Sequence, residues 1–276
     1  MKNIRKISVF TPTCNHDGLK VLALCLSRQT FEDFDWIIID KDYDLMWFQN
    51  EIQPLIGNIA IYLPEKVQYP KRRYGLCNAR NTLFQFLESD LLIEIQDYHW
   101  FPHNTLQRFW NIYTTLPDAI VTGTYKIVKM SSLYKCFEKE VLVDSDLEII
   151  DNTCRPHNVG LQSLNGFTGW ECNFSSIPTG LLKLIGEYPE DLDDYYENDI
   201  LHISMNAKIL GLPILMDTDM DYYSFEHKAL GSDELDRKQY TAHVNFRKLW
   251  REHGFKLRQW EELNRRSNQS RQEPGD

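Results

Sequence analysis

The chain lacks the fingerprints of several enzyme classes. It has no Walker sequence and no GxGxxG, so the local signatures of P-loop nucleotide hydrolysis and of Rossmann dinucleotide binding are missing. GxSxG, HExxH and Cys-His pairings are absent too, which leaves the corresponding hydrolases nothing to stand on. The six cysteines are scattered and form no CxxC, so neither a zinc ribbon nor a thioredoxin-like motif is offered, and free thiols in a reducing compartment are expected. No uninterrupted apolar run approaches the roughly 18 to 20 residues that span a bilayer, and the apolar patch near the start is too short for a signal peptide. A cytoplasmic location is therefore expected. There is no internal repeat, and low complexity is confined to the final "NRRSNQSRQEPGD".

What is present is an ordinary globular composition, 42% hydrophobic and 25% charged over 276 residues. The formal charge of -10 is uneven: ten Lys and Arg face three Glu between Arg237 and Arg271, a net +7 that leaves -17 for the rest of the chain. An acidic body suits a cation and a basic tail suits phosphate. Aromatic residues make up 13%, which serves either core packing or the lining of a ligand cleft.

The alternation of elements points to an open α/β sheet. "KISVFTPTC" is a buried strand running into a loop, Asp17 to Gln29 carries apolar residues at helical spacing, and "FDWIIID" is a second strand ending on Asp40. Such a βαβ unit requires a right-handed crossover and parallel pairing. A helix-like stretch at 45–56, a strand in "NIAIYLPE", a helix from Asn78 to Glu88 and the strand "DLLIEIQD" continue the pattern to about residue 125. Ligands of such sheets sit beyond the carboxyl ends of the strands, where Thr11, Asp40 and Asp97 should converge. Residues 125–164 show no clear period. A short helix, an acidic loop and a helix from about Asn198 to Leu210, stopped by Gly211, come next, and "LPILMDTDM" reads as a strand. Residues 1–230 are expected to form the main domain, with a nucleotide-binding half (1–125) and an acceptor half (126–230); residues 231–276 form a basic helical tail that frays.

Three clusters carry the chemistry. In "LLIEIQDYHWFP" a strand delivers Asp97 into a loop, with His99 two residues on; carboxylate and imidazole suit a first-row divalent ion, although Asp97 serves equally as a helix cap. "EYPEDLDDYYENDI" crowds Glu197 and Asp199 among other acids ahead of a helix, as a general base or as a solvated capping loop. "YPKRRYGLCNARN" places Lys71, Arg72, Arg73 and Arg80 around a helix start, suiting a diphosphate or a solvated basic turn. His227, after the last strand, has a metal-binding and a structural reading.

Taken together, "ISVFTPTCNHDGLKVLALCLSRQTFEDFDWIIID", "YGLCNARNTLFQFLESDLLIEIQD" and "GWECNFSSIPTGLLKLIGEYPEDLDDYYENDILHISMNAKILG" resemble, in order, the segments of family 2 glycosyltransferases, across residues 6 to 227. The resemblance implies a GT-A (Rossmann-like) fold with a mostly parallel open sheet flanked by helices and a C-terminal helical extension. It implies an inverting, metal-assisted transfer from a nucleotide sugar, a UDP-sugar above all, to an acceptor hydroxyl. Thr11, Pro12 and Asp40 match positions that hold the nucleoside, and Arg80 and Asn81 match the helix facing the donor phosphates. Asp97 matches the first acid of the metal-binding Asp-x-Asp, with His227 where some relatives have a metal-binding His, and the metal is Mn2+ or Mg2+. Asp199, with Glu197 as substitute, matches the catalytic base.

Three positions depart from the pattern: His99 stands for the second Asp, Lys41 follows Asp40 where a second acid is usual, and Glu171 replaces a small residue. The His99 departure keeps open a second class, a catalytically weakened nucleotide-sugar or glycan-binding module. The expected acceptor is a glycan or small molecule, or a hydroxylated base in DNA if the aromatic and basic residues of the tail bind nucleic acid.

Overall fold

A computed structural model of the chain describes residues 5–66, 75–129, 131–132, 147–151, 160–164, 173–188, 190, 202–204, 206–207 and 210–225. Its centre is a ten-stranded sheet whose main path runs β3-β2-β1-β4-β9-β6-β10-β5. These strands are β1 (Ile7–Thr13), β2 (Phe34–Asp40), β3 (Ala60–Pro64), β4 (Leu91–Ile95), β5 (His99–Trp100), β6 (Ile120–Val128), β9 (Phe174–Pro178) and β10 (Ile214–Phe225). β7 (Ile149–Asp151) pairs with β6, and β8 (Leu161–Ser163) with β10.

The first four strands are all parallel, as the βαβ reading requires. β1 lies in the middle, with Thr13 opposite Asp40 at the end of β2 and Ile7 opposite Leu91 at the start of β4. The chain therefore winds outward from β1 to β3 and returns to place β4 on β1's other side. At such a reversal open α/β sheets bind ligands in a crevice outside the carboxyl ends of the strands, here those of β1 and β4.

The second half of the sheet is mixed. β9 lies antiparallel between β4 and β6, β10 is parallel to β6, and β5 is antiparallel to β10. The alternation of side chains along each strand explains why helices cover both faces. Ile7, Val9, Trp36 and Ile38 enter one apolar cluster with Leu19, Leu22 and Leu26 of α1 (His16–Ser27) and Phe109 of α5 (Thr105–Thr115). Phe10, Ile37 and Ile39 point the other way, to Cys77, Ala79 and Leu83 of α4 (Leu76–Leu83) and Leu182 of α6 (Thr179–Ile185).

The stretch at 45–56 is two helices, α2 (Leu45–Glu51) and α3 (Gln53–Ile56), and Asn15 and Asp44 cap α1 and α2 through their side chains. α4 closes at Leu83, earlier than the expected Glu88. β6 continues to Val128, past the point where the sequence pattern breaks down. Residues 202–204, 206, 207 and 210 are helical, and Gly211 follows with φ 68°, the left-handed geometry that ends a helix on glycine. The basic tail lies outside the described residues, and among the described residues no helix is long and apolar enough to cross a membrane.

Candidate functional site

The carboxyl ends of β1, β2 and β4 carry the chemistry. Asp97 follows β4 by two residues and is nearly buried. Its Oδ2 accepts from Thr13 Oγ1 at 2.6 Å and from Cys14 N at 3.3 Å, so the end of β1 fixes the carboxylate from the side. α1 then starts directly beneath the Asp97 backbone. A Cβ on Gly18 would lie 1.6 Å from Asp97 O, so only glycine fits in the first turn. Burial, then the charge of Asp97, push the Cys14 thiol up to about 12.

Asp40 ends β2 and is fully buried. Its Oδ1 accepts from Asp42 N at 2.8 Å, and its Oδ2 from Tyr62 OH at 2.5 Å and from His16 Nε2 at 2.7 Å. Tyr62 is stacked on Phe48 and Tyr43, and its oxygen accepts from Asp44 N. Burial and the bond to Asp40 hold its hydroxyl above the ordinary tyrosine range, keeping it a donor. His16 lies flat on Trp47, with ring centroids 4.0 Å apart and planes 13° apart. Two carboxylates, at the end of β2 and just past β4, thus flank the end of β1.

The other expected residues are placed as follows. Thr11 is buried, its hydroxyl donating to Ile95 O at 2.8 Å and accepting from Trp36 Nε1 at 2.9 Å. It ties β1 to β4 and β2 instead of presenting to the crevice, and Thr13 takes the outward position. Pro12 is buried within β1 opposite Ile39. Arg80 differs from its expected role. Its guanidinium is turned into the protein, where Nε donates to Glu94 Oε2 at 2.8 Å and the fork lies over the Tyr188 ring. The physical reason is β4: Glu94 points to the α4 face and needs a cation when buried. Asn81 is likewise engaged, accepting from Tyr188 N and donating to Tyr188 O and Glu190 Oε1, at 2.8, 2.9 and 3.0 Å. These two residues fasten the start of the acidic loop to α4.

His99 also differs from expectation. It sits in β5 with its ring enclosed by Tyr98, Phe174 and Tyr222 and its Nδ1 3.2 Å from Gln96 O. Pairing of β5 with β10 draws the imidazole into that aromatic layer, while Asp97 turns to Thr13. Among the described residues no group of three or more His, Cys, Asp or Glu is arranged to hold a metal ion. Asp199, Glu197, His227, Glu171 and the Lys71–Arg73 run lie outside the described residues.

No protein-family profile and no curated protein matches the sequence. Solved structures do match in shape. S. aureus TarS 1-349 in complex with UDP superposes with a TM-score of 0.57 at 15% identity, covering 80% of this chain. The fold is GT-A. Structures of S. aureus TarS and of TarS 1-349 give TM-scores of 0.56 and 0.55, each at 15% identity and over 80% of this chain. The chain spans 60% of TarS 1-349 and 37% of the longer TarS.

Tyr62, Trp47, Thr13 and His16 were not anticipated as site residues. Thr13 and His16 had a signal, since both fall where a strand end meets a helix start. Tyr62 and Trp47 had none, because they reach Asp40 and His16 across separate elements.

Proposed function

We propose that the chain is a glycosyltransferase that transfers a sugar from a nucleotide sugar, a UDP-sugar by preference, to an acceptor hydroxyl. The observation that carries this reading is the placement of Asp40 and Asp97 on either side of β1 at the point where the strand order reverses. Open α/β sheets bind ligands there. The likeness to TarS, solved with UDP bound, supports the choice of nucleotide.

Asp40 is an acceptor suited to a ring N–H of the base. Asp97 suits a divalent ion: magnesium and similar ions bind through one or two carboxylates with the remaining positions filled by substrate phosphates and water. One carboxylate at the crevice fits that pattern, and the ion would supply charge for the departing nucleoside diphosphate. Thr13 would hold the Asp97 carboxylate in place. Asp199, or Glu197, is proposed as the base that takes the acceptor proton in an inverting displacement, with Arg80 and Asn81 fastening the loop that leads to it. The proposed acceptor is a glycan or small molecule; the tail on which a DNA acceptor rests lies outside the described residues.

Calorimetry with UDP, followed by turnover of a panel of UDP-sugars with manganese, tests the reading. UDP binding and turnover abolished in Asp199→Asn are the expected results, and no binding of any nucleoside diphosphate would end it. The enclosure of His99 favours a second reading, a binding module that holds the donor without metal. Equal UDP affinity with and without chelator, together with no turnover, selects that alternative.

A further inference from the structure

The Asp40 carboxylate has three hydrogen-bond partners of unequal permanence. The Asp42 N–H is backbone, and Tyr62 is nearly buried and wedged between Phe48 and Tyr43. His16 is different. Its side chain is 27% exposed, against 0% for Asp40. Two interactions hold it there, the Nε2 bond to Asp40 Oδ2 and the stack on Trp47.

Those two interactions are the ones a nucleobase makes: a flat ring laid on an aromatic face, with a ring N–H given to a carboxylate. We propose that the His16 imidazole occupies the base subsite of the crevice, filling the position against Asp40 and Trp47 that the donor's base takes. His16 is thus a binding-determining residue that the nucleotide must displace. This inference rests on the nucleotide-sugar reading of the same crevice. Displacement needs no unfolding, since His16 is the first residue of α1 and a side-chain rotation carries its ring outward. The helix itself stays in place through the Asn15 cap on Gly18 N.

The competition has a definite sign. A ligand that must displace an internal occupant binds with an affinity reduced by the fraction of molecules whose subsite is open. Removing the imidazole opens the subsite in every molecule. His16→Ala is therefore expected to bind UDP roughly 3- to 10-fold more tightly than the wild type, the range that fits one exchanged hydrogen bond to a charged group on a part-exposed side chain. Asp40→Asn should weaken binding whether or not His16 is present, because base and imidazole use the same carboxylate.

The experiment is UDP calorimetry on the full chain for wild type, His16→Ala, His16→Gln and Asp40→Asn, with histidine side-chain NMR of the wild type. The resonance lost in His16→Ala identifies His16, and at saturating UDP its Nε2 signal is expected to move from the carboxylate-bonded position. Equal affinity in wild type and His16→Ala, or an unmoved His16 signal, overturns the inference and leaves the nucleotide reading standing. Weaker binding in both His16 variants also overturns it, by making the imidazole a support for the base. If neither wild type nor His16→Ala binds UDP or any other nucleoside diphosphate, the nucleotide reading fails and the inference falls with it.

Discussion

Thr13 and Asp97, 84 positions apart, share one hydrogen bond of 2.6 Å from the Thr13 hydroxyl to the Asp97 carboxylate. The bond joins the ends of two adjacent parallel strands and fixes which way the acid faces. Thr13→Val keeps the shape and deletes the donor, while Cys14 N still donates to Oδ2. A loss of about 1 to 2 kcal/mol in urea unfolding is expected, with most of it restored in Thr13→Ser. Donor turnover should fall in the Val variant and recover in the Ser variant, which a stability effect alone would not produce at permissive temperature.

Gly18 offers a test with an unusual sign. Replacing a helical glycine with alanine ordinarily stabilises by up to about 1 kcal/mol. Here the added methyl meets backbone, Asp97 O at 1.6 Å, and the loop or the helix start must shift. Gly18→Ala is expected to destabilise by about 1 to 3 kcal/mol, the range for overpacked sites, and to displace Asp97 from Thr13. An unchanged denaturation midpoint would show that α1 does not press on the Asp97 loop.

Arg80 and Glu94 can be separated from any phosphate role by a double substitution. Arg80→Met removes the guanidinium bonded to the buried Glu94, and a cost of about 3 to 5 kcal/mol is expected. Arg80→Met combined with Glu94→Leu should recover much of that stability, since a buried ion pair is often replaceable by apolar groups. If Arg80 served mainly the donor, the single variant would keep its stability and lose UDP affinity.

Cys14 supplies a pH-dependent test in chelator-treated protein. Its thiol is raised from 9.0 to about 12 by burial first and by the Asp97 charge second. The folded state therefore retains its proton where the unfolded chain releases it. The sign follows: the Cys14 contribution to stability is complete below pH 9 and declines as pH rises toward 12. Cys14→Ser should flatten that part of the stability profile. Iodoacetamide at pH 8, followed by peptide mass mapping, should label Cys14 far more slowly in folded than in unfolded protein.

The parts legible in the sequence are those in which one segment decides its own fate. β1, α1, β2 and β4 declare themselves through apolar spacing, and Asp40 and Asp97 stand at or just past strand ends, as read. Features fixed by distant partners were not legible. β5 is two residues long and exists because β10 pairs with it. β9 reads as a motif-bearing segment, and its antiparallel place between β4 and β6 is decided by both neighbours. Arg80 illustrates the same limit within the site. A basic residue near a helix start suggests phosphate until Glu94, fourteen residues on, is seen to be buried against it.

The position of β9 bears on how the chain can be divided. Its five residues, 174–178, sit directly beside β4, so the early strands are sealed by backbone supplied late. A fragment ending near residue 125 would carry β4 with a bare row of unpaired amides and carbonyls along one side. Such an edge recruits other chains, so the isolated fragment should clump instead of folding as a free-standing nucleotide-binding unit. The two halves read from the sequence are joined through shared strand pairing, β9 lying between β4 and β6.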